Sequence, residues 1–369
     1  VASRFRAAGL AALALVLLGV ALAVPPVPAP PAPPPSASPG VSASPPSSAS
    51  TLPSPAPVED AIDDYDLDAL TIPEQREAML KKMRRALSLD DGALQRVRAI
   101  ISSSDWMSQG NPKISRHAMT RAECREKRRK AARLAEPSPR CQAANMVPLT
   151  PLAENEGKSV LTCIDQYEFP NVVCEYPVTW VRADEASDIC HALGKRLCDA
   201  HEWEGACAGV VKPPNEEYAF GQRRVMMEHL HNESRDIVWA YGREQNHALC
   251  ATSSKKSPKC YTPTFGLCGT NTFPAGAFPE CVSALGVYDQ HGNAAEHMNL
   301  PMKPEELGAR GGTGETEMKG SWFIFKESPA HQDDCRFRAP GWHASKITDK
   351  NSHRNYHLGF RCCRDVPPG

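Results

Sequence analysis

The chain lacks a surplus of charge of either sign: 42 Lys and Arg face 43 Asp and Glu, a formal net charge of −1. That removes the electrostatic case for a nucleic-acid partner or for a membrane-surface field over the whole chain. Long periodic stretches are few beyond Met146, so a regular helical architecture is not expected there. Residues 58–140 contain one histidine, His117, and no His-x-x-x-His pair lies on a convincing helix further on. The apolar run at the N-terminus is not followed by a cysteine, which argues against a lipoprotein anchor.

Cysteine, by contrast, is plentiful. Fourteen cysteines, an even number, are too many for a reducing cytosol and point to an oxidising compartment with a set of disulfides. The N-terminus agrees. Arg4 and Arg6 precede an uncharged run from Ala7 to Val24, and Ala21-Leu22-Ala23 has the small-x-small pattern of a signal-peptidase site. Residues 1–23 therefore read as a signal peptide or a membrane anchor, and the chain is expected to be exported, in a bacterial periplasm or envelope or outside the cell. Residues 24–57 are almost only Pro, Ala, Ser and Val, a disordered, polyproline-like spacer.

Residues 58–145 read as a helical lead-in with a basic segment. Thr71 and Glu74 form a capping box ahead of Met79, Leu80, Met83 and Leu87; Ser88 and Asp91 repeat the signal before Leu94, Val97, Ile100 and Ile101. The run 121–140, RAECREKRRKAARLAEPSPR, reads as a solvated basic helix face. Residues 146–369 show short mixed segments punctuated by Gly, Pro and aromatics. This is the texture of an irregular, loop-rich α+β domain.

The stretch 194–207, GKRLCDAHEWEGAC, admits a metal site, a redox site or two disulfide anchors. Before it, Ala183, Ala186, Ile189, Cys190 and Leu193 share a helix face that Gly194 ends. Asp199 caps a second helix, with Glu202 in the capping-box position and Trp203, Ala206 and Cys207 facing inward. A rise of ~1.5 Å per residue puts Cys198 and Cys207 more than ~10 Å apart, beyond the reach of a mutual disulfide. They anchor different partners.

In PVTWVRADEASDICHALGKRLCDAHEWEGACAG, followed in order by GVYDQHGNAAEHM (286–298), KGSWF (319–323) and LGFRCC (358–363), the chain resembles the formylglycine-generating enzyme, or sulfatase-modifying factor, family over about residues 146–365. The resemblance implies a C-type-lectin-like α+β fold and two bridges, Cys190–Cys362 and Cys207–Cys335. Proximity in sequence suggests Cys124–Cys141, Cys163–Cys174, Cys250–Cys281 and Cys260–Cys268, leaving Cys198 and Cys363. The resemblance also implies that Asn293 and Glu296 help hold a structural Ca²⁺, although His297 stands where the family has Trp. It further places Trp322, Arg336, Arg338, Trp342 and His343 along a surface groove suited to sugars, peptides or anionic groups.

The chain departs from the family at the redox centre. Family oxidases bind copper through two cysteines between the Gly-Ser-Trp strand and the Arg-Cys segment; here that interval holds only Cys335. Copper is therefore not expected. The family's non-haem iron enzymes take their histidines largely from an added helical domain that residues 58–140 do not supply, and His229 and His231 form the one loose pair, read as polar loop residues. The expected function is an exported, disulfide-stapled binding module for an envelope sugar, peptide or protein. An oxidoreductase of the same family acting on a protein or small molecule is the alternative.

Overall fold

A computed structural model describes residues 71–132, 134–149, 161–312, 314–341 and 344–367. The chain divides into two units, Val1–Ala56 and Pro57–Gly369, and every described residue belongs to the second. The signal or anchor segment and the Pro-rich spacer lie outside the described residues, as do Trp342 and His343.

The lead-in folds as a helical hairpin. Helix α1 (Ile72–Leu87) begins at Thr71, whose side chain and that of Glu74 satisfy each other's backbone N–H groups. Helix α2 (Asp91–Ser103) is capped by Asp90, which accepts from Ala93 N at 2.7 Å. Ser88, expected to start it, instead closes α1 in the left-handed conformation, φ 52°. An αL residue ends a helix, so it cannot also supply the extended geometry of an N-cap. Met79, Leu80, Met83, Leu94, Val97 and Ile101 are buried in one cluster with Phe169, Val181, Ile189 and Phe360.

Helix α3 (Arg121–Arg129) corrects the reading of the basic run as a solvated face. Arg121 pairs with buried Glu175 at 2.6 Å, and Arg128 donates to Gly276 O and Tyr167 Oη. Three of its basic residues, Lys127, Arg128 and Arg129, sit in the last turn, where they face the negative end of the helix dipole.

Strands β1 (Met146–Pro148), β2 (Leu161–Asp165), β3 (Arg196–Leu197) and β7 (Cys362–Val366) form an antiparallel sheet in the order β1-β2-β7-β3. Strands β4 (Ala295–Leu300), β5 (Glu315–Lys319) and β6 (Leu358–Phe360) form a second sheet, order β5-β4-β6, with β4 and β6 parallel. Every residue of β4 is buried, so this strand is the floor on which the other elements pack. Helix α4 (Ala183–Ala192) ends at Gly194, φ 66°. Helix α5 (Ala200–Ala208) starts from Asp199 with the Glu202 capping box. Two short helices follow, α6 (Pro214–Glu217) and α7 (Arg224–Ser234). The architecture is irregular, loop-rich α+β, and no helix among the described residues is long and apolar enough to cross a membrane.

All fourteen cysteines are joined, leaving no free thiol. Cys190 bonds Cys362, Cys207 bonds Cys335, Cys250 bonds Cys281, and Cys260 bonds Cys268. Two pairings expected from proximity are exchanged: the bridges are Cys124–Cys174 and Cys141–Cys163. Cys141 lies beside β1, which pairs with β2 and so brings Pro148 opposite Cys163, whereas α3 carries Cys124 to the loop that holds Cys174. Cys198 and Cys363, left over in the sequence, bond each other across β3 and β7.

Candidate functional site

The LGFRCC end of the chain is built around a buried arginine. Arg361, between β6 and β7, donates to both carboxylate oxygens of Glu296 on β4 at 2.6 and 2.7 Å and to the carbonyls of Asp165, Gln166 and Tyr288. Trp203 on α5 donates its indole N–H to the same carboxylate at 3.0 Å. Asn293, three residues earlier at φ 57°, accepts from Phe273 N at 2.8 Å and donates to Glu168 at 2.6 Å. Its carbonyl accepts from Phe323 N at 2.9 Å. Burial pushes Glu168 well above the ordinary carboxylate range, with Asp289 and Glu296 adding to the shift.

This arrangement does not fit Ca²⁺. A hard cation needs several uncommitted oxygens, yet the Glu296 carboxylate is already occupied by a guanidinium of the same sign as the ion. The oxygens of Asn293 serve backbone N–H groups. The two residues expected as ligands are instead core links between α5, β4 and the last strand.

Of the residues named for the groove, the three described ones, Trp322, Arg336 and Arg338, are buried. Arg336 and Arg338 are buried, because α5 and α6 place Glu204 and Glu217 beneath them. Arg336 pairs with Glu217 at 2.6 Å, and Arg338 with Glu204 at 3.0 Å while lying over the Tyr218 ring. Lys319 completes the set at 3.0 Å from Glu204. Trp322 stacks on His357 at 4.7 Å and meets Phe325 and His331 edge-on. Paired, buried charge is the only stable fate for groups drawn into this interior, and the arginines follow it.

Burial and the neighbouring Glu204 raise Glu217 to about 7 against the pull of Arg336 and Arg338. His231 donates from Nε2 to Arg336 O at 2.8 Å, so its bare Nδ1 faces Glu217 at 3.4 Å. His229, the other member of the expected pair, lies on an exposed side of α7 opposite Glu233. Glu204, Glu217 and His231 converge closely enough to hold a cation, but Lys319, Arg336 and Arg338 already neutralise them.

The interval where the family places its thiol pair holds no free thiol. Cys335 is bonded to Cys207, and the residues after Ser321 are Trp322, Phe323, Ile324 and Phe325, all buried in one aromatic cluster. Two thiolates are what hold the family's copper. No such pair is free here, since all fourteen cysteines are bonded.

An open surface lies elsewhere. A groove of about 1000 Å³ runs between the end of α3 and residues 278–286. Its floor is apolar, with Leu134, Leu249, Phe278, Val282 and Leu285, and Lys127 Nζ sits 3.8 Å above the Phe278 ring. Burial lowers the Lys127 pKa from the usual lysine value. Lys130, Glu136 and Glu280 line the rim.

The sulfatase-modifying factor enzyme 1-like domain matches residues 163–366. The chain belongs to this family. Among solved structures, the family member described here is similar to CarF, with 14% identity over 60% of this chain and 98% of that one at a TM-score of 0.35. It is also similar to PvdO from Pseudomonas aeruginosa, with 16% identity over 64% and 99% of the two chains at a TM-score of 0.31. Superpositions at this level carry no functional weight. No curated protein matches the chain.

Several side chains that organise this sulfatase-modifying factor domain were not singled out from the sequence. Arg361 stands inside the LGFRCC segment, and an arginine buried between two strands demands an acid partner. That demand was a readable signal for Glu296. Glu168, Glu204 and Glu217 carried no comparable signal, since their partners arrive from more than a hundred residues away.

Proposed function

We propose that this member of the sulfatase-modifying factor family is an exported binding module of the cell envelope that lacks the family's thiolate–copper chemistry. One observation carries the reading. The interval that should supply two metal-binding thiols holds one cysteine, and that cysteine is a disulfide partner of Cys207. A sulfur committed to a disulfide is neither a ligand nor a nucleophile in the thiolate sense. Seven disulfides in one chain also support an oxidising destination.

The groove beside α3 is the surface this reading assigns to the ligand. An apolar floor with lysines and carboxylates at its rim suits an envelope sugar or peptide that presents an apolar face and charged groups.

The test incubates the purified protein with Cu(I), oxygen and a Cys-x-Pro-x-Arg peptide and follows mass loss at the peptide cysteine. No turnover above a copper-only control is expected. Turnover, or stoichiometric copper or iron in protein purified from an oxidising compartment, would replace this reading with the oxidoreductase alternative.

A further inference from the structure

Three ligand-type atoms converge at a buried point that neither the family's chemistry nor the binding groove uses. His291 Nε2 lies 3.2 Å from Cys207 Sγ and 3.7 Å from Cys335 Sγ. The residues come from the end of α5, the turn before β4 and the loop after β5, and all three are buried. Ala240 N–H donates to Nε2 at 3.0 Å, so this nitrogen carries the lone pair. A disulfide has no proton to offer that lone pair, so the close N–S approach gains nothing as a hydrogen bond in the oxidised state.

A metal would use it. With Zn–S near 2.3 Å and Zn–N near 2.0 Å, tetrahedral geometry sets sulfur and nitrogen about 3.5 Å apart and two sulfurs about 3.8 Å apart. The two N–S distances found here bracket the first value. Only the sulfur–sulfur separation must open, from the bonded 2.03 Å.

We propose that Cys207, Cys335 and His291 form a latent zinc site, available to a thiophilic cation while the two cysteines are reduced and closed when they bond. Opening transfers two electrons from a dithiol to the bridge; the dithiol becomes its own disulfide and two protein thiols result. Zn²⁺ then displaces both thiol protons and takes the Nε2 lone pair from Ala240 N–H. The fourth position is left to water or an outside ligand. Closure is the reverse exchange, and it expels the metal. The other six bridges hold the surrounding frame. The inference does not rest on the binding-module reading, since it concerns the reduced pair.

The experiment refolds the full reduced chain in a glutathione redox buffer with and without Zn²⁺, then maps thiols by alkylation and peptide mass spectrometry. Zn²⁺ should keep Cys207 and Cys335 as thiols, alkylated only after chelator and denaturant are added, with one zinc per chain, while the other six bridges form. Co²⁺ in place of zinc should show tetrahedral ligand-field bands and thiolate charge-transfer absorption. His291→Gln should weaken cobalt binding at least about tenfold. Because that variant could fold poorly, the Cys207→Ser/Cys335→Ser double variant provides a second measurement, and it should bind no cobalt. The proposal is overturned if the pair oxidises at the same rate with and without zinc, if His291→Gln holds cobalt as tightly as the parent, or if the double variant keeps the thiolate spectrum.

Discussion

Glu296 shows how a single partner decides what a residue is for. On β4 it has the chemistry of a calcium ligand, yet Arg361 takes both its oxygens. Removing one member of a buried pair leaves an uncompensated charge, so Arg361→Met should cost about 3–5 kcal/mol in urea unfolding. Chelator should leave the melting temperature of the parent protein unchanged. A drop that Ca²⁺ restores would return Glu296 to the role of a ligand.

Glu317 provides a pH test at the same scale. It lies fully buried on β5, and burial raises it to about 7 from 4.5, against Arg224 and Lys319. Folding therefore retains a proton that the unfolded chain releases above 4.5. The sign follows from linkage: stability is highest at and below the unfolded value and is lost as pH rises towards 7, by on the order of 3 kcal/mol. Stability curves of the parent and Glu317→Gln should diverge between pH 4.5 and 7 and run parallel above it. Parallel curves throughout would mean that Glu317 ionises normally.

At the scale of elements, α5 is held closer to its neighbour than its sequence advertises. A Cβ on Gly205 would lie 2.5 Å from the Cα of Val211. Alanine raises helix propensity by about 1 kcal/mol over glycine, but here the clash is with backbone and cannot be relieved by a rotamer change. Gly205→Ala should therefore destabilise the protein by about 1–3 kcal/mol, measured as a lower melting temperature. Asp90→Ala, which removes the cap of α2, should cost about 1 kcal/mol. The two outcomes separate local from tertiary legibility. The α1 and α5 starts were readable because Thr71, Glu74, Asp199 and Glu202 act within one turn. The Ser88 assignment failed because a serine can serve either end of a helix, and the preceding helix claimed it.

Across the whole molecule, Cys190–Cys362 and Cys198–Cys363 join the same two segments, with sequence separations of 172 and 165. In the chain-entropy model the first to close is worth about 5 kcal/mol, while the second then closes only a small ring worth about 2.5 kcal/mol. Replacing either pair by alanine should therefore cost about half of what the first closure supplies, and replacing both should cost about 7–8 kcal/mol. Equal, additive losses of the larger size would show that the bridges act independently. Without reductant, thiol labelling of the native protein should find no reactive sulfhydryl, and six or more would contradict the stapled state.

The sequence by itself determined the family, through four ordered motifs, and the irregular α+β class, through short segments and dense punctuation. It also determined the abundance of disulfides, since cysteine number is a property of composition. Helix starts came with it, because capping acts over three residues. Only the tertiary structure decided the pairing of Cys124 with Cys174 and Cys141 with Cys163, the burial of Arg336 and Arg338, and the approach of His291 to the Cys207–Cys335 bridge. Each depends on contacts between residues far apart in the chain. Buried charges and sulfurs take whichever partner packing brings within about 3–4 Å, and local spacing does not encode that choice.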